Sequence, residues 1–285
     1  MTWPDTDVDI DAPLVASLLE STEFADATLQ PVAFGFDNDV WRAGDVGVRL
    51  PRRAVAAELM EQEIRWLNEV TRDVPLETPH ILHAGTPQDR YPYPWAIVTW
   101  LDGTTALDES TILGRSDALR LATALAHLHQ IAPHDAPVNP FRGVPLSRRV
   151  ESFERTCTVL HESDAAFLTP HFQRGLAASA FSGQPRWIHG DLHLGNLVIR
   201  EDSLVGIIDF GDMAGGDPAC DLGGALMCTR PSEWNVLTET YVGDDAMWLR
   251  ARGWLAAFVA MHLTIEGAHE RAAKRLLALW REVEA

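Results

Sequence analysis

The chain has 285 residues, of which 41 are Asp or Glu and 23 are Lys or Arg, giving a formal net charge of −18. Its length corresponds to roughly two domains or lobes with a sizeable core. The composition, 46% hydrophobic and 22% charged, excludes a disordered or collagen-like chain. The acidic balance argues against a protein that holds nucleic acid by counterion release.

Several common classes of protein are excluded by the sequence. The N-terminal segment is acidic and has no basic and apolar regions of the kind found in secretory signals. The longest apolar stretch, residues 254–265, is too short to span a membrane. Lys274 is the single lysine, so no P-loop motif is present. Three cysteines without C-x-x-C spacing indicate a reduced protein, and we expect a cytoplasmic one without membrane association.

The first predicted elements in the chain are strands. Between residues 29 and 51 apolar and polar residues alternate, with turn signals at 35–38 and 43–45, which predicts hairpin strands. A second β-rich run covers residues 95–101. We therefore expect an N-terminal lobe, residues 1–101, that is built on a sheet and ends in a hinge strand.

Helical spacing begins within this lobe and dominates the rest of the chain. Residues 54–70 are predicted to form one charged helix, with an apolar face that includes Val55 and Val70. Residues 102–285 are mostly helical by the same criterion, and one of the predicted helices covers residues 169–181. The second lobe should therefore be a helical one that is interrupted only briefly.

The interruption is a predicted hairpin. Two short apolar runs, residues 197–199 and 204–208, are separated by a polar turn at 201–203. Because a hairpin returns the chain to its start, Asn196 before the first strand and Asp209 after the second should lie side by side.

Three oxygen-bearing side chains should meet at the open end of this hairpin. Asn196 and Asp209 offer the hard oxygen ligands that suit Mg²⁺, which completes its coordination with water and substrate phosphates. The loop that holds Asp191 folds over the same end, and this carboxylate stays free of the metal. Asp191 could orient a hydroxyl and accept its proton as the oxygen attacks a γ-phosphate.

The two motifs at the hairpin resemble a known family. The pattern H-G-D-x-x-x-x-N at residues 189–196, followed by I-D-F-G at residues 208–211, resembles the aminoglycoside phosphotransferase family, a branch of the protein-kinase-like fold. The resemblance implies an α+β, bilobal fold with an antiparallel-sheet lobe that contains one main helix and a mostly helical second lobe. It also implies that Asp191 is the catalytic residue, and that Asn196 and Asp209 bind the metal.

The same resemblance extends to the N-terminal lobe. Arg49 and Glu63 resemble the strand cation and the paired helix glutamate of this fold, which implies that they order the nucleotide phosphates. Kinases usually carry lysine at the strand position where this chain has Arg49. The guanidinium of arginine is planar and can bind two oxygens at once, so Arg49 could still bind phosphates and pair with Glu63. Arg42, Arg52 and Arg53 lie close in the sequence and are alternatives to Arg49.

The glycine-rich phosphate loop of the fold is reduced in this chain. Gly35 and Asn38 are the residues suited to bind phosphates through the backbone there, because glycine adopts left-handed geometry and asparagine tolerates it.

Four further side chains near the motifs have structural interpretations. His189 is expected to hydrogen-bond backbone rather than transfer protons, and Asp212 to bond locally in its turn. Asp217 precedes Pro218 as a helix start. Asp221 either braces the catalytic loop, as the resemblance implies, or favours the helix N-terminus.

The sequence thus predicts a phosphotransferase that uses ATP or GTP with Mg²⁺ and acts on a hydroxyl of a small molecule, such as an aminoglycoside or another antibiotic. Related families act on macrolides, choline, homoserine or sugars, so the acceptor stays open. The choice of nucleotide, the oligomeric state and a resistance or metabolic role also stay open. One alternative is a metal-dependent hydrolase that uses His189-x-Asp191-x-His193. Another is a catalytically silent nucleotide-binding protein.

Overall fold

The computed structural model describes residues 6–34 and 37–285. The chain divides into two units, one comprising Met1–Arg72 and Thr78–Asp102, the other Asp73–Glu77 and Gly103–Ala285. The first unit contains the sheet and the second unit most of the helices, so the α+β fold class predicted from the sequence is confirmed.

The first unit is built on an antiparallel sheet. Five strands pair in the order β1-β2-β3-β5-β4, namely β1 (Leu29–Phe34), β2 (Asn38–Ala43), β3 (Val46–Pro51), β4 (Ile81–Gly85) and β5 (Trp95–Thr99). The tight connection between β2 and β3 uses Gly44 at φ +62°, a conformation that glycine adopts without steric cost. Both predicted strand regions therefore belong to one sheet.

Two helices of this unit cluster with side chains that alternate along β5. Trp95 and Ile97 belong to a core cluster with apolar residues of α1 (Ala12–Leu19). Ala96 and Val98 cluster with Met60 of α2 (Ala54–Val70). Successive side chains of a strand point to opposite faces, so α1 and α2 cover opposite faces of the sheet.

Helix α2 has the predicted bounds but buries a different face. The side chains of Ala56, Met60, Glu63 and Leu67 are buried, whereas Val55 is 64% exposed. The prediction that Val55 belongs to the buried apolar face was therefore wrong. A glutamate occupies the buried face because Arg49 pairs with it, and hydrophobic spacing alone gives no sign of such a pair.

The second unit is mostly helical, as predicted. Its helices are α3 (Arg115–Leu128), α4 (Val150–Cys157), α5 (Glu162–Ala177), α6 (Ala219–Cys228), α7 (Trp234–Thr240), α8 (Asp245–His262) and α9 (Ala268–Glu284). Helix α8 packs against both α5 and α6. Within the described ranges, no helix combines the length and apolar character needed to cross a bilayer.

Helix α5 differs from its prediction. It covers Glu162–Ala177 rather than residues 169–181, and it contains Pro170 in its interior. Proline is most common in the first turn of a helix, so the sequence pattern favoured a start beside it. Tertiary packing against α8 overrides that local preference.

Five short strands complete the second unit. They are β6 (Thr104–Thr105), β7 (Arg186–Ile188), β8 (Leu197–Arg200), β9 (Ser203–Ile207) and β10 (Ala214–Gly216), which form a β6-β8-β9 sheet and a β7-β10 pair. Strands β8 and β9 are the predicted hairpin. Glu201 and Asp202 in its turn have φ of 51° and 57°, the two positive values of a two-residue type I′ turn.

The close contact between α5 and α8 gives a test of this packing. A Cβ added to Gly175 would lie 2.7 Å from the Cα of Gly253. Gly175→Ala should therefore lower the free energy of unfolding by about 1–3 kcal/mol, measured by urea denaturation, although alanine favours helix. The matched control is Gly114→Ala, whose Cβ would meet no described atom within 4 Å and which should cost less than about 1 kcal/mol. Equal losses in the two variants would contradict this packing argument.

Candidate active site

The β8–β9 hairpin brings Asn196 and Asp209 to one end of the second unit. Leu197 pairs with Ile207 across the hairpin, and the Ile208 amide donates to the Asn196 carbonyl oxygen at 2.9 Å. Asp209 is the next residue along the chain. The hairpin register therefore places both predicted metal ligands beside each other, as the hairpin pattern in the sequence predicted.

The side chain of Asn196 is held in one orientation. Its Nδ2 donates to the carbonyl oxygen of Asp191 at 2.9 Å, and the residue is buried. Because this bond uses the amide nitrogen, the carboxamide oxygen is the atom left to bind a metal. Asn196 thus joins the loop that carries Asp191 to the start of β8.

Asp209 has an uncommon backbone conformation. Its φ of 65° and ψ of 68° lie in the left-handed region, which Asp and Asn enter more readily than most other residues. The residue is exposed, whereas Phe210 after it is buried and packs on the ring of His189, 4.7 Å between centroids. The left-handed turn separates the directions of these two neighbouring side chains.

Asp191 is held through both of its carboxylate oxygens. Arg142 Nη2 donates to Oδ1 at 2.9 Å, and His193 Nε2 lies 3.4 Å from Oδ2. His193 Nδ1 accepts a hydrogen bond from the Gly195 amide at 3.0 Å, so Nε2 carries the proton that faces Asp191. The carboxylate is therefore fixed by one guanidinium and one imidazole.

These contacts set the charge of the carboxylate. Burial acts to raise the pKa of Asp191, but the hydrogen bond and charge of His193, followed by the charges of Arg142 and His189, outweigh it. The net effect holds the pKa of Asp191 well below its ordinary range. Asp191 is therefore ionised at neutral pH and is a weak base with a fixed orientation.

Arg142 was missed by the sequence analysis. It lies 49 residues before Asp191, in a loop where Asn139 Oδ1 accepts from the amides of Phe141 and Arg142 at 2.9 and 3.1 Å. Asn139 Nδ2 also donates to Asp212 Oδ1 at 2.5 Å. The Asn139-Pro140 pair signals a turn in the sequence. No local signal shows that this turn lies against Asp191.

The two ring nitrogens of His189 are both engaged with backbone. Nε2 donates to the Ile208 carbonyl oxygen at 2.9 Å, and Nδ1 accepts from the Asp191 amide at 3.2 Å. His189 is thus a structural histidine, as expected. The predicted His189-x-Asp191-x-His193 ligand set is wrong, because His189 has no ring nitrogen left for a metal.

Asp221 braces the loop that carries Asp191, as one of its two predicted roles required. Its carboxylate accepts from the amides of His189 at 2.6 Å and Gly190 at 2.9 Å, and His129 Nε2 lies 3.1 Å away. Burial acts to raise the pKa of Asp221, but the hydrogen bond and charge of His129 and the loop contacts hold it below its ordinary value. The Tyr241 hydroxyl lies 2.8 Å from His129 Nδ1, which extends the network to the end of α7.

Asp217 and Asp212 have the local roles predicted for them, with additions. Asp217 Oδ1 accepts from the Ala219 amide at 3.0 Å at the start of α6, and Oδ2 accepts from Arg250 Nε at 2.7 Å. Asp212 bonds to Asn139, and burial followed by the charge of Asp191 raises the pKa of its carboxyl group.

In the first unit, Arg49 of β3 and Glu63 of α2 form a buried ion pair. Arg49 Nη2 lies 3.2 Å from Glu63 Oε2, and their side chains are 8% and 2% exposed. The alternative arginines pair elsewhere, Arg42 with Asp102, Arg52 with Asp39 and Arg53 with Asp37. Arg49 thus forms the pair with the α2 glutamate that was predicted for the strand cation.

The predicted phosphate-loop residues are placed only in part. Asn38 is the first residue of β2 and pairs with Pro51, so it is extended rather than left-handed. The left-handed geometry considered for Asn38 is therefore wrong, because the ladder with β3 begins there. Gly35 lies outside the described residues.

Replacing the buried carboxylate of Asp221 tests the bracing network. Asp221→Asn should lower the free energy of unfolding at pH 7 by about 3 kcal/mol, since it removes one partner of a buried charged network. The pKa of Asp221 is lower in the folded than in the unfolded chain, where it is about 3.9. The stabilising contribution of Asp221 is therefore present above the pKa of the unfolded chain. It is lost as the pH falls towards the lower pKa of the folded chain.

The variant should accordingly lose less stability than the wild type between about pH 5 and about pH 3, measured by urea unfolding. Asp202→Asn in the exposed hairpin turn is the matched control, because asparagine tolerates its left-handed conformation. An unchanged acid dependence in Asp221→Asn would count against the network.

The chain is similar to known proteins in sequence and in fold. The chain matches the model of the phosphotransferase enzyme family (APH) over residues 28–258. The GDP complex of aminoglycoside 2'-phosphotransferase-IIIa superposes with a TM-score of 0.67 at 22% identity, covering 96% of this chain and 98% of that one. A macrolide 2'-phosphotransferase from Brachybacterium faecium superposes with a TM-score of 0.55 at 18% identity, covering 88% of this chain and 91% of that one. No curated protein matches the chain.

The solved structures, each below 25% identity to this chain, show a shared kinase-like fold. The family model covers most of the chain and includes the sheet of the first unit and the hairpin of the second. The resemblance inferred from the two sequence motifs is thereby confirmed: the chain belongs to the phosphotransferase enzyme family.

Proposed function

We propose that this protein transfers the γ-phosphate of ATP or GTP to a hydroxyl group of a small molecule, with Asp191, Asn196 and Asp209 as its reaction centre. The observation that carries the proposal is the end of the β8–β9 hairpin. There one ionised and oriented carboxylate lies beside a residue pair that offers two hard oxygens. This set matches the requirements of phosphoryl transfer, which depends on positioning and charge stabilisation.

The residues at the hairpin end fit Mg²⁺. Asn196 offers a carboxamide oxygen and Asp209 a carboxylate, and Mg²⁺ takes one or two such protein ligands together with water and phosphate oxygens. The bond from Asn196 Nδ2 to Asp191 fixes which atom of the amide is available. When bound, the ion would neutralise the charge that develops on the phosphates.

Asp191 is proposed to orient the acceptor hydroxyl. Arg142 and His193 fix the plane of its carboxylate, and each oxygen keeps accepting capacity beyond these contacts. Its low pKa means that Asp191 takes the proton only late, when the hydroxyl oxygen has largely bonded to phosphorus. Such timing suits a loose transition state, in which little negative charge develops on the attacking oxygen.

Arg49 is proposed to order the nucleotide phosphates. Its guanidinium is always charged and can bond to two oxygens at once, and the buried Glu63 holds it on β3. Gly35 and Asn38 are proposed for the phosphate loop at the β1–β2 connection. The intact Asp191, Asn196 and Asp209 set argues against a catalytically silent protein, which the missing lysine had suggested.

Asp191→Asn tests the reaction centre. This change removes the base and the charge but keeps the shape, so it should lower kcat by about 100- to 10,000-fold. The measurement is nucleoside diphosphate release with any acceptor that the wild type phosphorylates. Asp202→Asn is the control and should retain wild-type turnover. Full turnover by Asp191→Asn would exclude the assigned role.

Asp209→Asn tests the metal ligand by thermal unfolding. Nucleotide at about 100 times its Kd should stabilise the wild type by about 2.7 kcal/mol in the presence of Mg²⁺. The variant should need about tenfold more Mg²⁺ for the same rise in Tm, because it lacks one anionic ligand. Measurements with ATP and with GTP identify the donor. A Mg²⁺ dependence identical to that of Asp202→Asn would contradict the assignment.

A further inference from the structure

A cavity of about 320 Å³ lies within the second unit, and neither the metal ligands nor Asp191 line it. Its walls are the loop 138–147, the end of α5 with the segment that follows it, and Gly215–Asp217. Most of the lining side chains are apolar, among them Val144, Leu176 and Phe181. Ligand pockets typically hold about 300–1,000 Å³, so this cavity suits a small molecule of one or two rings.

Arg142 connects this cavity to the reaction centre. Its side chain lines the cavity, and its Nη2 donates to Asp191 Oδ1 at 2.9 Å. Its Nε is buried and has no hydrogen-bond acceptor among the described residues. Arg142 therefore contacts both the cavity and Asp191, the carboxylate proposed to orient the acceptor.

The charged groups of the cavity are unsuited to a cation. Among the described lining residues Asp217 is the single carboxylate, and Arg250 occupies it through contacts of 2.7 and 3.3 Å. Arg142 and Arg250 both contribute guanidinium groups. Because each of these guanidinium groups pairs with an aspartate, an ammonium group would find no unpaired carboxylate among the described lining residues.

We propose that this cavity binds the non-reacting part of the acceptor, and that the acceptor is a small hydroxyl compound with an apolar ring and no ammonium group. The inference rests on the proposed phosphotransferase function and narrows it. The net charge of −18 attracts cations to the surface as a whole, whereas binding depends on the groups that line the site. Polycationic aminoglycosides are therefore poor acceptors for this protein.

Three probes of matched shape and different charge test the substrate class. They are phenyl β-D-glucoside, which is neutral, phenyl β-D-glucuronide, which is anionic, and phenyl β-D-glucosaminide, which is cationic, with kanamycin as a polycation. Nucleoside diphosphate release and the shift in Tm are measured for each in the presence of Mg²⁺ and nucleotide. The neutral or anionic probe should give a kcat/KM at least about tenfold above that of the glucosaminide.

A space-filling variant tests the location. Leu176→Trp fills the cavity from a partly exposed position on α5 and should raise KM for the preferred probe at least about tenfold. The rise in Tm with Mg²⁺ and nucleotide should stay at its wild-type value. Val159→Trp is the matched control, because Val159 is 72% exposed and lies outside the cavity.

The outcomes separate the acceptor inference from the proposed phosphotransferase function. Preference for the glucosaminide or kanamycin, or an unchanged KM in Leu176→Trp, overturns the acceptor inference. Failure of the neutral and anionic probes to be phosphorylated or to raise the Tm, while Mg²⁺ with nucleotide still stabilises the protein, overturns the inference and leaves phosphoryl transfer standing. Loss of every nucleotide effect overturns both.

Discussion

The loop that carries Asp191 keeps its shape because one buried carboxylate accepts hydrogen bonds from two of its backbone amides. Asp221 is a residue of α6, and its carboxylate accepts hydrogen bonds from the amides of His189 and Gly190. A buried charge is costly unless it is paired and hydrogen-bonded, and His129 supplies the remaining partner. The orientation of Asp191, its contact with Asn196 and the approach of Arg142 all depend on this fixed loop.

The sequence predicts the parts of the site that depend on local structure. A hairpin has fixed geometry, so the apolar runs on either side of Glu201 and Asp202 were sufficient to place Asn196 beside Asp209. The bounds of α2 followed from helical spacing in the same way. The structural interpretation of His189 agrees with its backbone hydrogen bonds.

The parts that escape prediction involve residues far apart in the chain. Arg142 meets Asp191 across 49 residues, and neither position has a local pattern that names the other. Glu63 is buried because Arg49 on another element neutralises it, which reverses the usual reading of a charge as a surface residue. Helix α5 continues through Pro170 because packing with α8 compensates for a local preference. In each case the deciding term is a tertiary contact, and a single sequence does not show it.

The amide of Asn196 has a consequence for which residue can stand at that position. Judged by metal affinity alone, aspartate would be the stronger ligand, because it adds a negative charge. A carboxylate, however, has no proton to donate to the Asp191 carbonyl oxygen, and two acceptors would then face each other at the present 2.9 Å. The backbone therefore dictates an amide where the proposed metal would favour an acid, and the proposed site would give up metal affinity for the shape of the loop beside it.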